Sequence, residues 1–130
     1  MEKPKHFDLE KRTAEFAKDC RDFVRRLPKN SANFEDGKQL IRSSGSQAAN
    51  YIEANESLSK KDFAHRIKIC RKETKESCLW LELCDTGGSP ELMKVTVLLT
   101  KEAIELRKIF TAILNKEEDK VTKHNKIYMA

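Results

Sequence analysis

The sequence predicts an all-α fold, an antiparallel up-down-up-down four-helix bundle. Charged residues make up 36% and apolar residues 38% of the 130 positions, a balance that favours long amphipathic helices. Apolar side chains recur at alternating spacings of four and three residues in four separate stretches, which places them along one face of each helix. Short capping, glycine and proline signals separate the stretches, so the helices pack most simply as a bundle of chain neighbours.

The first predicted helix covers about residues 8–27 and stops before Pro28. The residues that share its inward face are Leu9, Thr13, Phe16, Cys20, Phe23 and Leu27. Residues 1–7 are charged and are predicted to form an N-terminal extension of the bundle.

The second predicted helix covers about residues 33–57, and its inward face is unusually small and polar. That face comprises Phe34, Gly37, Ile41, Ser44, Ala48, Tyr51 and Asn55. Glycine, serine and alanine let a neighbouring backbone approach closely. Close helix packing is favoured over a ligand site, and the amides of Asn50 and Asn55 then need hydrogen-bond partners.

The third predicted helix covers about residues 60–86. It begins with Ser59 as N-cap and Asp62 as an acidic first-turn residue, and it ends before the Gly87-Gly88 pair. Its inward face comprises Phe63, Ile67, Cys70, Thr74, Ser77, Leu81 and Cys84.

The fourth predicted helix covers about residues 90–116 and opens with Ser89-Pro90-Glu91, an N-cap followed by proline at the first helical position. Its inward face comprises Leu92, Val95, Leu99, Ala103, Leu106, Phe110 and Ile113. Residues 117–130 are polar except at their end, and they are predicted to be a frayed or mobile C-terminal tail, with a helical start as an open alternative.

A basic stripe lies on the third helix, on the side away from the predicted core. It consists of Lys61, His65, Lys68, Lys72 and Lys75. Between residues 60 and 75 there are seven Lys or Arg against two acidic residues, an excess equal to the net charge of +5 for the whole chain. Such a stripe is a candidate track for a nucleic-acid backbone. A solvated helix face is the alternative.

Six apolar residues fall outside the inward faces of the third and fourth helices. They are Ile69, Leu79, Trp80, Leu83, Leu98 and Ile109. Exposed apolar surface of this kind marks interfaces, so we expect self-association with Trp80 as an anchor. A wider core within one chain is the competing explanation.

The sequence contains no pattern that supports catalysis, a cofactor or a metal site. Asp62-x-x-His65 is the nearest approach to a di-iron motif, and its histidine falls on the outer face. The cysteines lack zinc-ligand spacing, and no phosphate loop or nucleophile elbow is present. We expect a non-enzymatic protein with reduced thiols, located in the cytoplasm and not in a membrane.

Residues from about Phe7 to Lys116 resemble the four-helix-bundle proteins of the bacterial large-subunit (23S) rRNA intervening-sequence family. The matching elements are Gln39-Leu40-x-Arg42-Ser43, the Ser/Ala run that ends in Ala49-Asn50 with Glu53-Ala54, the helix start Ser59-Lys60-Lys61-Asp62-Phe63, and the Glu76 to Leu83 stretch with Trp80. The sequence departs from the common Asn-Ile-Ala-Glu-Gly turn, since it has Ala54 where glycine is usual.

The resemblance implies an antiparallel bundle that forms a ring-like homopentamer. It also implies kinship with the accessory variability determinant protein of diversity-generating retroelements, which binds a reverse transcriptase and nucleic acid. Within the bundle it implies that Asn50 and Glu53 tie together the end of the second helix. Many members are encoded inside rRNA genes and have no established activity.

Two hypotheses for the function follow. In the first, an oligomer binds RNA, DNA or an RNA-protein complex through its basic faces, where five copies with a net charge of +5 each gather roughly +25. In the second, the bundle is a protein-binding scaffold or an accessory subunit for a partner such as a reverse transcriptase.

Overall fold

The computed structural model describes the backbone of residues 8–129 and the side chains of residues 8–118. Within this range the chain forms four α-helices. They are α1 (Leu9–Arg26), α2 (Ser31–Asn55), α3 (Lys60–Leu83) and α4 (Pro90–Met129). The predicted fold class is confirmed. The predicted N-terminal extension at residues 1–7 lies outside the described residues.

The helices form an antiparallel bundle in which each helix packs along its neighbours in the chain and α1 also packs along α4. Two ion pairs show the direction of α4 relative to α1. Arg12, near the start of α1, pairs with Glu102 at 2.7 Å. Arg26, at the end of α1, pairs with Glu91 at 2.8 Å. The residue numbers of the paired side chains rise along α1 and fall along α4, so the two helices run in opposite directions.

The inward faces of α1, α3 and α4 are those that the sequence predicts. Their largest fully buried side chains are Phe16, Phe23, Ile67, Leu81, Leu106 and Phe110. All six predicted positions of α1 are buried. On α3 and α4 the predicted Phe63, Val95 and Ile113 are only partly buried and pack against this core.

The inward face of α2 differs from the predicted one. The predicted Phe34 is 64% exposed and Asn55 is also exposed, while Leu40, Gln47 and Ala54 are buried. Gln47 can be buried because its amide nitrogen donates to a backbone carbonyl of α1 at 2.8 Å, which offsets much of the cost of taking the amide out of water. The amide oxygen of Gln47 has no hydrogen-bond partner among residues 8–118, whose side chains are described.

Gly37 lets α2 pack closely against α1. A Cβ atom at this position would lie 2.8 Å from a Cγ of Val24 on α1, closer than two carbon atoms can pack. The two helices therefore approach each other through the missing side chain, which agrees with the predicted close packing.

Two helix ends differ from the predicted bounds by more than two residues. The third helix ends at Leu83 and not at residue 86. Cys84 turns extended and buries its thiol, and the amide of Asp85 donates to the side chain of Asn33 at 2.8 Å. The fourth helix continues past residue 116 to Met129, since residues 116–129 contain neither glycine nor proline. The predicted mobility of residues 117–130 stays a prediction.

Candidate nucleic-acid interface

The basic stripe begins in the first turn of α3, and a side-chain cap holds this turn in place. The Ser59 hydroxyl accepts a hydrogen bond from the amide of Asp62 at 3.1 Å, which fixes the first turn. All five stripe residues, Lys61, His65, Lys68, Lys72 and Lys75, are exposed. At about 1.5 Å of rise per residue the stripe extends for about 21 Å along the helix.

Three of the stripe residues converge on an open groove between α3 and α4, which we call the basic groove. Its volume is about 670 Å³, and its lining comprises Lys68, Arg71, Lys72, Lys75, Glu76, Leu79, Arg107 and Thr111. Lys61 and His65 lie nearer the start of α3 and are not part of this lining. The structure therefore divides the predicted stripe into a groove half and an open half.

Arg107 is the cation that α4 contributes to the basic groove. Its guanidinium lies against the Cys78 thiol. Burial raises the pKa of Cys78, and the positive charge of Arg107 opposes that rise. The Nε atom of Arg107 is buried and has no hydrogen-bond partner among the described residues. Part of the Arg107 side chain is therefore buried, while the residue lines the groove.

The carboxylate of the groove belongs to a cluster with a neighbouring helix. Arg42 on α2 donates to Glu73 at 2.8 Å and to Glu76 at 3.1 Å. A hydrogen bond with Glu73, together with burial and the Glu73 charge, raises the pKa of Glu76, and the charge of Arg42 only partly opposes this rise. Since Arg42 already engages Glu76, the groove keeps a strong positive excess.

Sequence reasoning missed Arg71 and Arg107 as members of this site. Arg71 follows Lys68 by three residues, but it lies on the side of the stripe that faces α4. Arg107 borders the inward face of α4, between Ala103 and Phe110. Pairing α3 and α4 antiparallel on a helical wheel would have brought both guanidinium groups to the edge of the stripe.

The six predicted interface residues fall into two groups. Leu79, Leu83 and Leu98 are exposed, by 45%, 50% and 65%. Trp80, Ile69 and Ile109 are partly buried, and the first and last of these pack against the core. The Trp80 Nε1 atom is itself buried without a partner among the described side chains. Trp80 and Ile109 thus widen the core, as the competing explanation expects.

Leu98 and Leu79 do not belong to one patch. Leu98 shares a face of α4 with Glu91 and Glu102, both of which pair with α1. Leu79 lines the basic groove on the other side of α4, beside Arg107. The predicted interface set therefore spans two sides of α4.

Asn50 and Glu53 hold the end of α2 through a residue on α3. Arg66 donates to the side-chain oxygen of Asn50 at 2.9 Å and pairs with Glu53 at 3.7 Å. The Asn50 amide also donates to the backbone oxygen of Ser46 at 2.9 Å. Arg66 is thus engaged with α2 and lies apart from the basic stripe.

The four cysteines are free thiols. Burial raises the pKa of Cys20 and Cys70 to about 12 and that of Cys84 to about 11. Thiols in this state are poor nucleophiles and poor metal ligands. Among the described residues no group of His, Cys, Asp and Glu could hold a metal ion, and no described helix has the length and apolar character that a membrane crossing requires.

Comparison with known proteins identifies the chain. The family model described as 23S rRNA-intervening sequence protein matches residues 5–112. The chain belongs to the 23S rRNA-intervening sequence protein family. None of the curated proteins is detectably similar to it.

A solved structure supports the fold of this member of the family. It is a protein of unknown function from the S23 ribosomal protein family of Bacteroides thetaiotaomicron. The TM-score is 0.70 at 27% sequence identity, and the similarity covers 81% of this chain and 96% of that chain. The similarity extends over most of both chains, while neither name assigns a ligand to this intervening-sequence protein.

Proposed function

We propose that this intervening-sequence protein is a non-enzymatic, oligomeric RNA-binding protein that holds the phosphate backbone in the basic groove. The observation that carries the proposal is the convergence of cations from two helices. Lys68, Lys72, Lys75, Arg71 and Arg107 line one groove, and a single carboxylate accompanies them. Clusters of this kind attract phosphates by charge and by release of counterions.

The chemistry of the lining favours backbone contacts over base readout. The groove lining contains no aromatic residue on which a base could stack. Arginine binds phosphate oxygens in a forked geometry, while lysine binds as a point charge. Binding should therefore depend on salt and on nucleic-acid shape more than on sequence.

Oligomerisation multiplies this weak charge. Each chain carries +5, and a pentamer, as the family resemblance implies, presents several basic grooves to one nucleic acid. Linked sites raise the apparent affinity without any new contact. Leu79 and Leu83, one turn apart on α3, and Leu98 on another side of the bundle are exposed and are the candidates for the contacts between copies, since exposed apolar surface marks interfaces.

An accessory subunit that binds a protein such as a polymerase or reverse transcriptase is the second candidate. The observation in its favour is the exposure of Met93 and Val97 on α4, each 53% exposed, together with Leu79 and Leu83 on α3. Apolar contacts of this kind weaken little as salt rises, whereas phosphate contacts weaken steeply. Salt dependence therefore separates the two functions.

Light scattering coupled to size exclusion tests the proposal. We expect a mass of about 75 kDa, five times the 15.0 kDa of one chain, and a further increase when a hairpin RNA is added at about 50 mM salt but not at about 500 mM. A pentamer that ignores RNA at both salt concentrations would favour the accessory subunit. A monomer would contradict the oligomeric part of the proposal.

A further inference from the structure

A second open cavity lies at the opposite corner of the bundle, where α1 turns into α2. We call it the corner cavity. Its volume is about 610 Å³, and its lining comprises Val24, Arg25, Leu27, Pro28, Lys29, Asn30, Ser31, Asn33, Phe34, Glu35, Lys38 and Ile41. It shares no lining residue with the basic groove. A ligand here would leave the basic groove free.

The walls of the corner cavity are mainly apolar. The aliphatic residues of the lining come from the end of α1, the turn and α2, and they are Val24, Leu27, Pro28 and Ile41. Phe34 lines this cavity and is 64% exposed. An aromatic side chain left open beside an apolar cavity is typical of an anchor for a partner's side chain.

A cation–π contact holds Phe34 at the edge of the corner cavity. The Nζ atom of Lys38 lies 4.2 Å from the centroid of the Phe34 ring, within the range of such contacts. The lysine covers one face of the ring and places a positive charge at the rim. The same contact therefore orients the Phe34 ring and places the ammonium group of Lys38 beside it, where a bound partner would lie.

The rim of the corner cavity is positive overall. Arg25, Lys29 and Lys38 lie in the lining with Glu35 as the one carboxylate. Asp22 pairs with Arg25 at 2.6 Å, so the two lysines supply most of the excess. The first turn of α2 also starts at this cavity and contains no acidic residue, which leaves the positive end of the helix dipole without a side-chain counter-charge.

We infer that the corner cavity binds a segment of another protein that presents large apolar side chains flanked by carboxylates. The apolar walls and Phe34 fit the apolar side chains, and Lys29, Lys38 and the start of α2 fit the carboxylates. The volume of about 610 Å³ accommodates a few large side chains, as peptide-binding grooves do when they take anchors from one face of a helix. The inference does not depend on RNA binding, because the two surfaces are separate.

The probe for this inference is a labelled amphipathic helical peptide of about 16 residues, with leucine on one face and glutamate elsewhere. Its counterpart carries lysine in place of every glutamate. Fluorescence anisotropy measures binding of both peptides to the full chain. We expect binding of the glutamate peptide, no binding of the lysine peptide, and affinity at least about tenfold lower for Phe34→Ala and for the Lys29→Glu, Lys38→Glu double variant.

A variant of the other surface serves as the matched control. The triple variant Lys68→Glu, Lys72→Glu, Lys75→Glu destroys the charge of the basic groove, and it should bind the glutamate peptide as the wild type does, within about twofold. Equal binding by Phe34→Ala and the wild type would overturn the inference. So would loss of binding in the triple variant, which would assign the peptide to the basic groove.

Size exclusion of Phe34→Ala excludes one further occupant. Since Phe34 is exposed, its loss should leave both the fold and the oligomer mass unchanged. If the substitution dissociated the oligomer, a second copy of this chain would cover the corner cavity and the inference would be wrong. Circular dichroism of the same sample checks that the helices persist.

Discussion

The two faces of α3 show how this chain separates stability from binding. The inward face, Ile67, Cys70, Thr74, Ser77 and Leu81, is completely buried, and its hydroxyl groups find partners inside the bundle. The outward face carries Lys68, Lys72 and Lys75, which form no ion pair within the part of the chain that the structure describes. One helix thus contributes to the core with one side and offers unpaired charge with the other.

Stability and RNA binding should therefore respond to different substitutions. Changes on the inward face should lower stability and affect RNA binding only through unfolding. Changes on the outward face should alter RNA binding at constant stability, because exposed charges contribute little to folding. The predictions below probe each side of this separation.

Ile67→Ala should have the largest effect on folding. The Ile67 side chain is fully buried, so its truncation removes apolar contacts and leaves a cavity, at a cost of about 2–5 kcal/mol in the free energy of unfolding. Urea denaturation followed by circular dichroism measures this change. A loss below about 0.5 kcal/mol would show that the inward face of α3 does not carry the fold.

Arg42→Ala should have an intermediate effect, because it leaves a buried charge without its partner. The Glu73 side chain is 6% exposed and pairs with Arg42 at 2.8 Å. Loss of the guanidinium should cost about 1–3 kcal/mol in the free energy of unfolding. Arg25→Ala is the matched control, since Arg25 and Asp22 are both exposed, and it should change stability by less than about 0.5 kcal/mol. Equal effects of the two substitutions would contradict the account.

Glu76→Gln should have the smallest effect and should change binding more than stability. It removes the one negative charge in the lining of the basic groove, so affinity for RNA at low salt should rise by about threefold. Anisotropy titration with the hairpin RNA measures the affinity. Unchanged affinity would indicate that RNA does not approach this part of α3.

The pH dependence of the Glu76 effect has a definite sign. Because the pKa of Glu76 is raised in the folded chain, its proton stabilises the fold at pH below the unfolded pKa, and this contribution is lost as pH rises through the folded pKa. Protonation also makes the basic groove more positive. The advantage of Glu76→Gln over the wild type in RNA binding should therefore shrink as pH falls through the raised pKa.

The sequence alone predicts α1, α3 and α4 well because bulky side chains mark their inward faces. Phe16, Ile67 and Leu106 fall where the alternating spacing places them. On α2 the inward face contains Gln47, whose burial depends on a carbonyl oxygen of α1. A pattern within one helix contains no information about a hydrogen-bond partner on another helix. The predicted face of α2 therefore included Phe34 and Asn55, which are exposed, and omitted Gln47, which is buried.

The candidate site was predictable only in part for the same reason. The spacing of Lys68, Lys72 and Lys75 on α3 is visible in the sequence. Arg107 joins them only when α4 is placed beside α3. Arg66, which is close to the stripe in sequence, is engaged instead by Asn50 and Glu53 of α2. Local periodicity thus finds the stripe, and tertiary packing decides which cations converge on the groove.

Matched charge reversal separates RNA binding in the basic groove from attraction to the net charge of the chain. The groove variant carries Lys68→Glu, Lys72→Glu and Lys75→Glu, and the control carries Lys18→Glu, Lys94→Glu and Lys101→Glu at exposed positions outside the groove. Both variants have the same net charge. Anisotropy with the hairpin RNA at about 50 mM salt should show at least about tenfold weaker binding for the groove variant and less than about threefold for the control. Equal losses in the two variants would show that RNA responds only to net charge, and would contradict the basic groove as its site.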